Sequence, residues 1–290
     1  MRRSVKLLIL LGCLVGVCLA TWWSKAHFAP KHNITPMEEG IEIFAVGDAP
    51  SVSWTYNGNT ITFEIQKDTW IYPEDPGYVI NNVYKSDLTE QLTSLRARKI
   101  IEDPGDPEEY GLDTPLCTVT AGDQVVHFGE EAPVGGLRYA SVGDGKVYMV
   151  STSALYPFTR TLEEMISLST IPDLSGTTQI TIQSQGKEMT LHCNEEWAWA
   201  ELTAEDSDTL SKYLKKLRYS NCLAVNAEDL SVYGLDAPKA VYTFTAGAES
   251  FTLVFGESAE GICVMEKDQN RVYLINQAFA EFLMKLSENI

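Results

Sequence analysis

Basic side chains are scarce in this 290-residue chain, where 22 Lys and Arg stand against 40 Asp and Glu, and histidine occurs only four times. Five of the basic residues (Arg2, Arg3, Lys6, Lys25 and Lys31) and none of the acidic ones lie in the first 31 positions. That leaves 17 against 40, a balance of −23, on the remainder. Such a field repels phosphate. It excludes nucleic acid as a partner and adhesion to anionic head groups, since both rest on neutralising phosphate with Lys and Arg. His27, His32, His127 and His192 are too few for a His-rich metal site. There is no His-Glu-x-x-His, Gly-x-Ser-x-Gly or Gly-x-x-x-x-Gly-Lys, so zinc proteases, serine hydrolases and phosphate-loop enzymes lack their core residues. No two of the six cysteines fall in a Cys-x-x-Cys spacing. Cys117, Cys193, Cys222 and Cys263 therefore read as buried single thiols, which behave as small hydrophobes, with a disulfide open to them in an oxidising compartment. No catalytic, cofactor-binding or metal-binding residue is assigned, and no cofactor is expected.

Two partial motifs have plain alternatives. Ser184-Gln185-Gly186-Lys187 has the Ser-x-x-Lys spacing of acylating enzymes, but it falls on a predicted hairpin turn, whereas that chemistry needs the Lys one helical turn above the Ser. Gly143-Asp144-Gly145-Lys146 could cradle phosphate, yet a strand and no helix N-terminus follows it.

One long apolar run is present. Arg2, Arg3 and Lys6 precede an uncharged stretch from Leu7 to Ser24 that is apolar from Leu7 to Ala20, close to the lower limit of about 17 residues for a spanning helix. Trp22 and Trp23 suit the far interface, and the preceding charges favour a cytoplasmic N-terminus with the rest of the chain outside. A cleaved signal peptide competes with this reading, but no good Ala-x-Ala site follows. The expectation is a single-pass anchor contacting the lipid bilayer through residues 7–23. Hydrophobic residues at 44%, with ten Phe, thirteen Tyr and six Trp, are ample for packed cores in about 260 further residues.

Self-similarity dominates what remains. Glu109-Tyr110-Gly111-Leu112-Asp113-Thr114-Pro115 returns as Val232-Tyr233-Gly234-Leu235-Asp236-Ala237-Pro238, and the flanks return in the same order. Trp70 with Leu92, Leu95 and Arg96 answers Trp197 with Leu214, Leu217 and Arg218. Downstream, Phe128-Gly129-Glu130 and Val147-Tyr148-Met149-Val150 answer Phe255-Gly256-Glu257 and Val272-Tyr273-Leu274-Ile275. A fixed period over roughly 120 residues implies tandem copies of one unit. The expected division is 1–31 for anchor and linker, 32–172 for the first repeat and 173–290 for the second.

Each copy opens with a hairpin, Ser51 to Tyr56 and Thr60 to Lys67 around Asn57-Gly58, or Gln179 to Ser184 and Lys187 to Cys193 around Gln185-Gly186. A strand carrying Trp197 and Trp199 is expected next in the second copy. Helices starting at Asp87-x-x-Glu90 and Thr203-x-x-Asp206 place Leu88, Leu92 and Leu95, or Leu210, Leu214 and Leu217, on one face. The Tyr-Gly-Leu-Asp-x-Pro block reads as a short helix closed by a left-handed Gly, with Pro115 and Pro238 forbidding its resumption. Gly129 and Gly256 read as ends of strands. Four strands in two hairpins and a closing helix (Ser151 to Tyr156; Gln277 to Leu286) complete each copy. Strand runs with segregated helices argue an α+β fold: a transmembrane helix, then two repeated domains, each a mainly antiparallel sheet covered by one or two helices. Trp70 and Trp197 read as core anchors rather than carbohydrate platforms, and Tyr148 and Tyr273 as cross-strand packing.

This order of landmarks resembles the bacterial family catalogued as domain of unknown function 4340, once per copy. The resemblance implies membrane-anchored envelope proteins, often encoded beside ABC-transporter components similar to the gliding-motility auxiliary type, with no established activity or catalytic residues. The expected function is a non-catalytic, extracytoplasmic module that docks onto a membrane protein complex of the cell envelope, ABC-transporter components among the candidates. The alternative is an extracytoplasmic hydrolase or small-ligand binder using a cleft between the repeats. The Pro-, Gly- and Asn-rich insertion from Tyr72 to Tyr84 is the candidate binding surface, because long loops on a rigid scaffold often carry function.

Overall fold

The computed structural model describes residues 34–133 and 135–289. The expected anchor lies outside them. Among the described residues no helix is long and apolar enough to cross a membrane. The fold is mixed α+β, with two antiparallel sheets and few helices. Its strands are β1 (Ile34–Phe44), β2 (Ser51–Tyr56), β3 (Asn59–Gln66), β4 (Thr69–Ile71), β5 (Leu95–Ile101), β6 (Cys117–Ala121), β7 (Gln124–Glu131), β8 (Leu137–Ser141), β9 (Val147–Ser151), β10 (Gln179–Ser184), β11 (Lys187–His192), β12 (Tyr219–Ala224), β13 (Ala240–Ala246), β14 (Glu249–Ser258), β15 (Gly261–Glu266) and β16 (Val272–Ile275). The α-helices are α1 (Asn82–Thr93), α2 (Leu162–Met165), α3 (Ala204–Leu214) and α4 (Gln277–Glu288).

The larger sheet runs β1-β5-β9-β8-β7-β6-β2-β3-β4, and the smaller, taken from its β12 edge, runs β12-β16-β15-β14-β13-β10-β11. Setting aside the edge strands β1 and β4, the two orders agree strand for strand. Chain contacts divide the molecule into two compact units. Of the described residues, one holds 34–49, 54–60 and 90–156; the other holds 50–53, 61–89 and 157–289.

The predicted hairpins form where the turn residues demand. Asn57 and Gly58 take φ 50° and 80°, and Gln185 and Gly186 take 52° and 75°. Positive φ at both central residues matches the right-handed twist of the flanking strands. α3 starts as expected, its Thr203 side chain accepting from Asp206 N, and buries Ser207, Leu210 and Leu214. In α4, Asn276 caps Phe279 N, and Phe279, Ala280, Leu283 and Leu286 form one buried stripe at helical spacing. Each of the Phe and Leu side chains removed from water contributes about 1.5–3 kcal/mol. Tyr148 and Tyr273 are buried, the latter stacked on Tyr219 at 4.1 Å between ring centroids.

Four expectations about elements are corrected. α1 begins at Asn82, five residues ahead of Asp87, because the Asn81 side chain accepts from Val83 N and supplies the cap earlier. Leu95 and Arg96 open β5 rather than extend the helix, and Leu217 and Arg218 likewise lie beyond α3. The first closing helix is a 3-10 segment, Thr152–Thr159, with Pro157 inside it, where an α-helix would lose a hydrogen bond. No strand carries Trp197: only an isolated bridge joins Cys193 to Trp199. In the other sheet Ile65 pairs with Trp70. Counted from the Asn57-Gly58 and Gln185-Gly186 turns, Ile65 corresponds to Cys193, so Trp199, and not Trp197, is the counterpart of Trp70. β1 has no counterpart in the sequence reading. It pairs with β5 through two register breaks, one spanning Gly40.

Candidate functional site

The most repeated block is a packing device. Pro107–Tyr110 and Leu230–Tyr233 are single 3-10 turns, closed by Gly111 at φ 65° and Gly234 at φ 62°. Leu112 N reaches back to Pro107 O, and Leu235 N to Leu230 O, as a helix stop with a left-handed glycine requires. Gly129 and Gly256 do not end strands; both lie inside one, β7 and β14. A Cβ on Gly129 would sit well under 3.0 Å from Tyr110 O, and one on Gly256 equally close to Tyr233 O. The turn rests on the strand backbone, and only glycine leaves room. Glu130 and Glu257 face solvent, and Glu257 pairs with Lys239.

The insertion from Tyr72 to Tyr84 is tied down within its own unit. Arg271 binds Asp75 through Nε at 3.1 Å and through a second guanidinium nitrogen, with 16% and 23% of the two side chains exposed. Tyr78 OH donates to Leu162 O at 2.9 Å, Asn81 N to Met165 O at 2.8 Å and Ser167 N to Val79 O at 2.7 Å. Tyr72 and Tyr78 meet edge to face and both pack against Phe63. Burial raises both phenols, and the Glu74 carboxylate that accepts from Tyr72 OH adds to the rise there. From this fixed loop Val79 and, in the first turn of α1, Val83 stay 60% and 65% exposed. Leu168, beside the segment bonded to Val79, is also exposed.

The partial motifs resolve into turns. Ser184 Oγ donates to Lys239 O at 3.0 Å on the β13 side of β10, while Lys187 faces Ser184 across the hairpin on β11. A cavity of about 330 Å³ lies there, lined by Ser184, Gly186, Lys187, Pro238 and Val241 among others. Asp144 accepts from Tyr148 OH at 2.6 Å, and Lys146 pairs with Glu102. His127 Nδ1 lies 3.0 Å from Thr118 Oγ1, and His192 Nδ1 lies 2.8 Å from a Glu201 carboxylate. Cys117, Cys193, Cys222 and Cys263 are all free thiols; three are buried and Cys193 is partly exposed. Among the described residues no group of three His, Cys, Asp or Glu comes together as a metal would require.

A second cavity, of about 310 Å³, contains residues that the sequence reading assigned elsewhere. It lies between the 193–199 turn, the Leu174–Gly176 3-10 turn and the C-terminal end of α3. Asn194 shapes the turn beside it: the Oδ1 atom accepts from Glu196 N and Ala198 N, and the carbonyl accepts from Trp197 N. Trp197 is thereby held at φ 60°, a left-handed conformation that is exceptional for a bulky residue. The residue is 59% exposed, which corrects the expectation of a core anchor. The core role belongs to Trp199, which is 3% exposed and donates through Nε1 to Ser211 Oγ at 3.2 Å. Thr177 also lines the cavity. It is 2% exposed, and its hydroxyl has no hydrogen-bond partner among the described residues, an arrangement that costs about 1–3 kcal/mol. Burial raises the Cys193 thiol. Ser207 and Ser211, one helical turn apart behind the Thr203 cap, were visible as a polar break in an apolar stripe, and they are what bind Trp199.

With two sheets of one strand order established, comparison with known families places the chain. The model of a domain of unknown function, DUF4340, matches residues 70–238 and again 200–290. The chain belongs to that family, and the two overlapping matches are consistent with two copies. No curated protein matches it, and no solved structure does.

Proposed function

We propose that this chain is a non-catalytic docking module built from two copies of one fold. It is tethered to the cell membrane through residues 7–23, N-terminus cytoplasmic and bulk outside, and engages a membrane protein complex of the envelope, with ABC-transporter components as first candidates. The observation that carries this reading is the loop from Tyr72 to Tyr84, which holds Val79 and Val83 in the open while Asp75, Tyr72 and Tyr78 are tied to Arg271, Phe63 and Leu162 of the same unit. A surface ordered before contact loses little further freedom on binding, so apolar groups presented this way contribute most of their burial to affinity. The net charge of −18 favours a partner whose apolar contact is rimmed by Lys and Arg. Tethering to the same bilayer raises the effective concentration of such a partner.

The test places a photo-crosslinking residue at Val79 of the full-length chain in native membranes. Adducts to a defined transporter component, lost when Val83→Asp is added, support the reading. If the Val79→Asp, Val83→Asp double variant keeps every membrane partner of the wild type, the docking surface is elsewhere.

A further inference from the structure

We infer that the cavity beside Trp197 is a binding site for one ring of a neutral sugar, stacked on the exposed indole and hydrogen-bonded at its rim by the hydroxyls beneath. This goes beyond the docking reading and does not depend on it.

Three observations select the ligand class. The first is the platform. Trp197, a residue 59% exposed, brings a flat apolar ring to the lining of a cavity of about 310 Å³, the small end of the range for ligand pockets. Its backbone is fixed by the Asn194 bonds, so the face is in place before a ligand arrives. Indole rings combine a broad apolar face with a polar edge, which suits a ring whose two sides are C–H surface and whose perimeter is hydroxyl.

The second is the floor. Thr177 is 2% exposed with an unpartnered hydroxyl, and Ser211 supplies a second hydroxyl. Ser211 accepts from Trp199 Nε1 and so keeps its own O–H to donate. Hydroxyls both donate and accept, matching a polyhydroxy ligand in either sense. A purely apolar occupant would leave Thr177 as it is.

The third is charge. No carboxylate lines the cavity, which disfavours a cation. Lys215 is the one charged residue there, and it caps the C-terminal end of α3, where the last carbonyls already draw a positive charge. An anion would also meet the repulsion of a chain carrying −18.

Cys193 supplies the readout, since it lines the cavity and is the partly exposed thiol of the four described. The full-length protein is alkylated in the presence of a panel of neutral monosaccharides and short glycans at millimolar concentration, with benzoate and phenol as the contrasting arms. Modification of Cys193 is followed by peptide mapping and tryptophan emission is recorded in parallel. Expected is saturable protection of Cys193 by at least one sugar, weakened about tenfold by Trp197→Ala, a change on an exposed side chain that leaves the core intact. Thr177→Val, which keeps shape and removes the hydroxyl, weakens it by a similar factor of about ten. A free monosaccharide that protects marks a soluble sugar as ligand; protection only by longer glycans marks a glycan end. Absence of protection by any sugar overturns the assignment. So does protection by benzoate or phenol alone, or sugar protection unchanged in Trp197→Ala.

Discussion

The carbonyl of Tyr110 rests on the backbone of Gly129, and the carbonyl of Tyr233 rests on that of Gly256, so that neither glycine could carry a Cβ without displacing the turn above it. The same contact is made once in each unit, between a left-handed helix stop and a strand that begins some fifteen residues further on.

That contact predicts a large penalty for the smallest side chain. In Gly129→Ala or Gly256→Ala the methyl meets backbone oxygen, which cannot rotate away as a side chain could, and the turn must lift from the strand. Overpacking of this kind costs about 1–3 kcal/mol or more. Urea unfolding is expected to show each variant destabilised by at least that amount, while Gly247→Ala, in an open hairpin turn, loses only what its positive φ demands. Equal stabilities for Gly256→Ala and Gly247→Ala would remove the packing argument.

Asp75 and Arg271 fasten the Tyr72–Tyr84 loop, and the pair is mostly shielded from water. Removing either side strands a charge among buried aromatics, a loss of about 2 kcal/mol for the charged hydrogen bonds. Arg271→Met and Asp75→Asn should each open the loop to limited proteolysis at Pro73 to Gly77 before the rest of the chain is cut. A double-mutant cycle should return a clear coupling between the two positions. Additive effects would mean that the tyrosine and backbone bonds hold the loop unaided.

How far these features were legible depends on the range of the interaction that creates them. Turn chemistry is local: Asn57-Gly58, Gln185-Gly186 and the Tyr-Gly-Leu stops announce themselves within four residues, and the hairpins and their order followed. At Gly129 and Gly256 a glycine after an aromatic looks like a strand end, whereas its reason is a carbonyl nineteen or twenty-three residues upstream. Residue type alone places Trp197 in the core. The side chain that decides otherwise is Asn194, whose bonds turn the chain so that Trp199 goes inward and Trp197 outward. Thr177 and Ser211 belong to segments more than thirty residues apart, and nothing in either segment points to the other. β1 escaped because Met37-Glu38-Glu39-Gly40 breaks any alternation, and its strand is defined by the partner β5.

The thiols carry a pH prediction with a definite sign. Burial pushes Cys117 and Cys222 up to about 12 and Cys263 up to about 11, against an ordinary value of 9.0. A group whose folded pKa lies above its unfolded one holds its proton longer in the folded state. Its stabilising contribution is complete below pH 9 and is lost as pH climbs through 11 to 12. Stability measured from pH 8 upward should therefore fall, and Cys117→Ala with Cys222→Ala should flatten that fall. Below the transition, alkylation should mark Cys193 first, with the other three modified only on unfolding. Early modification of Cys117 would contradict its burial.

Arg138 marks a difference between the two sheets at one strand pairing. In the smaller sheet β14 and β15 pair without a break from Leu253 with Glu266 to Ser258 with Gly261. In the larger sheet the β7–β8 register slips between Phe128 and Glu131, and the Arg138 guanidinium donates to Gly129 O and to Glu131 across the gap. The arginine is 6% exposed and stands where the smaller sheet has Ile262. Replacing a buried ion pair by an apolar side chain is often neutral, but here the guanidinium also satisfies a carbonyl inside the irregular stretch. Arg138→Met should therefore destabilise by about 1–3 kcal/mol, the cost of leaving that carbonyl unpaired. Glu131→Gln, at a carboxylate with 64% of its side chain in solvent, should cost under about 1 kcal/mol. The comparison of the two variants by denaturant unfolding separates the functions of the one side chain. If Glu131→Gln proves the more damaging, the ion pair rather than the carbonyl is what Arg138 is there to serve.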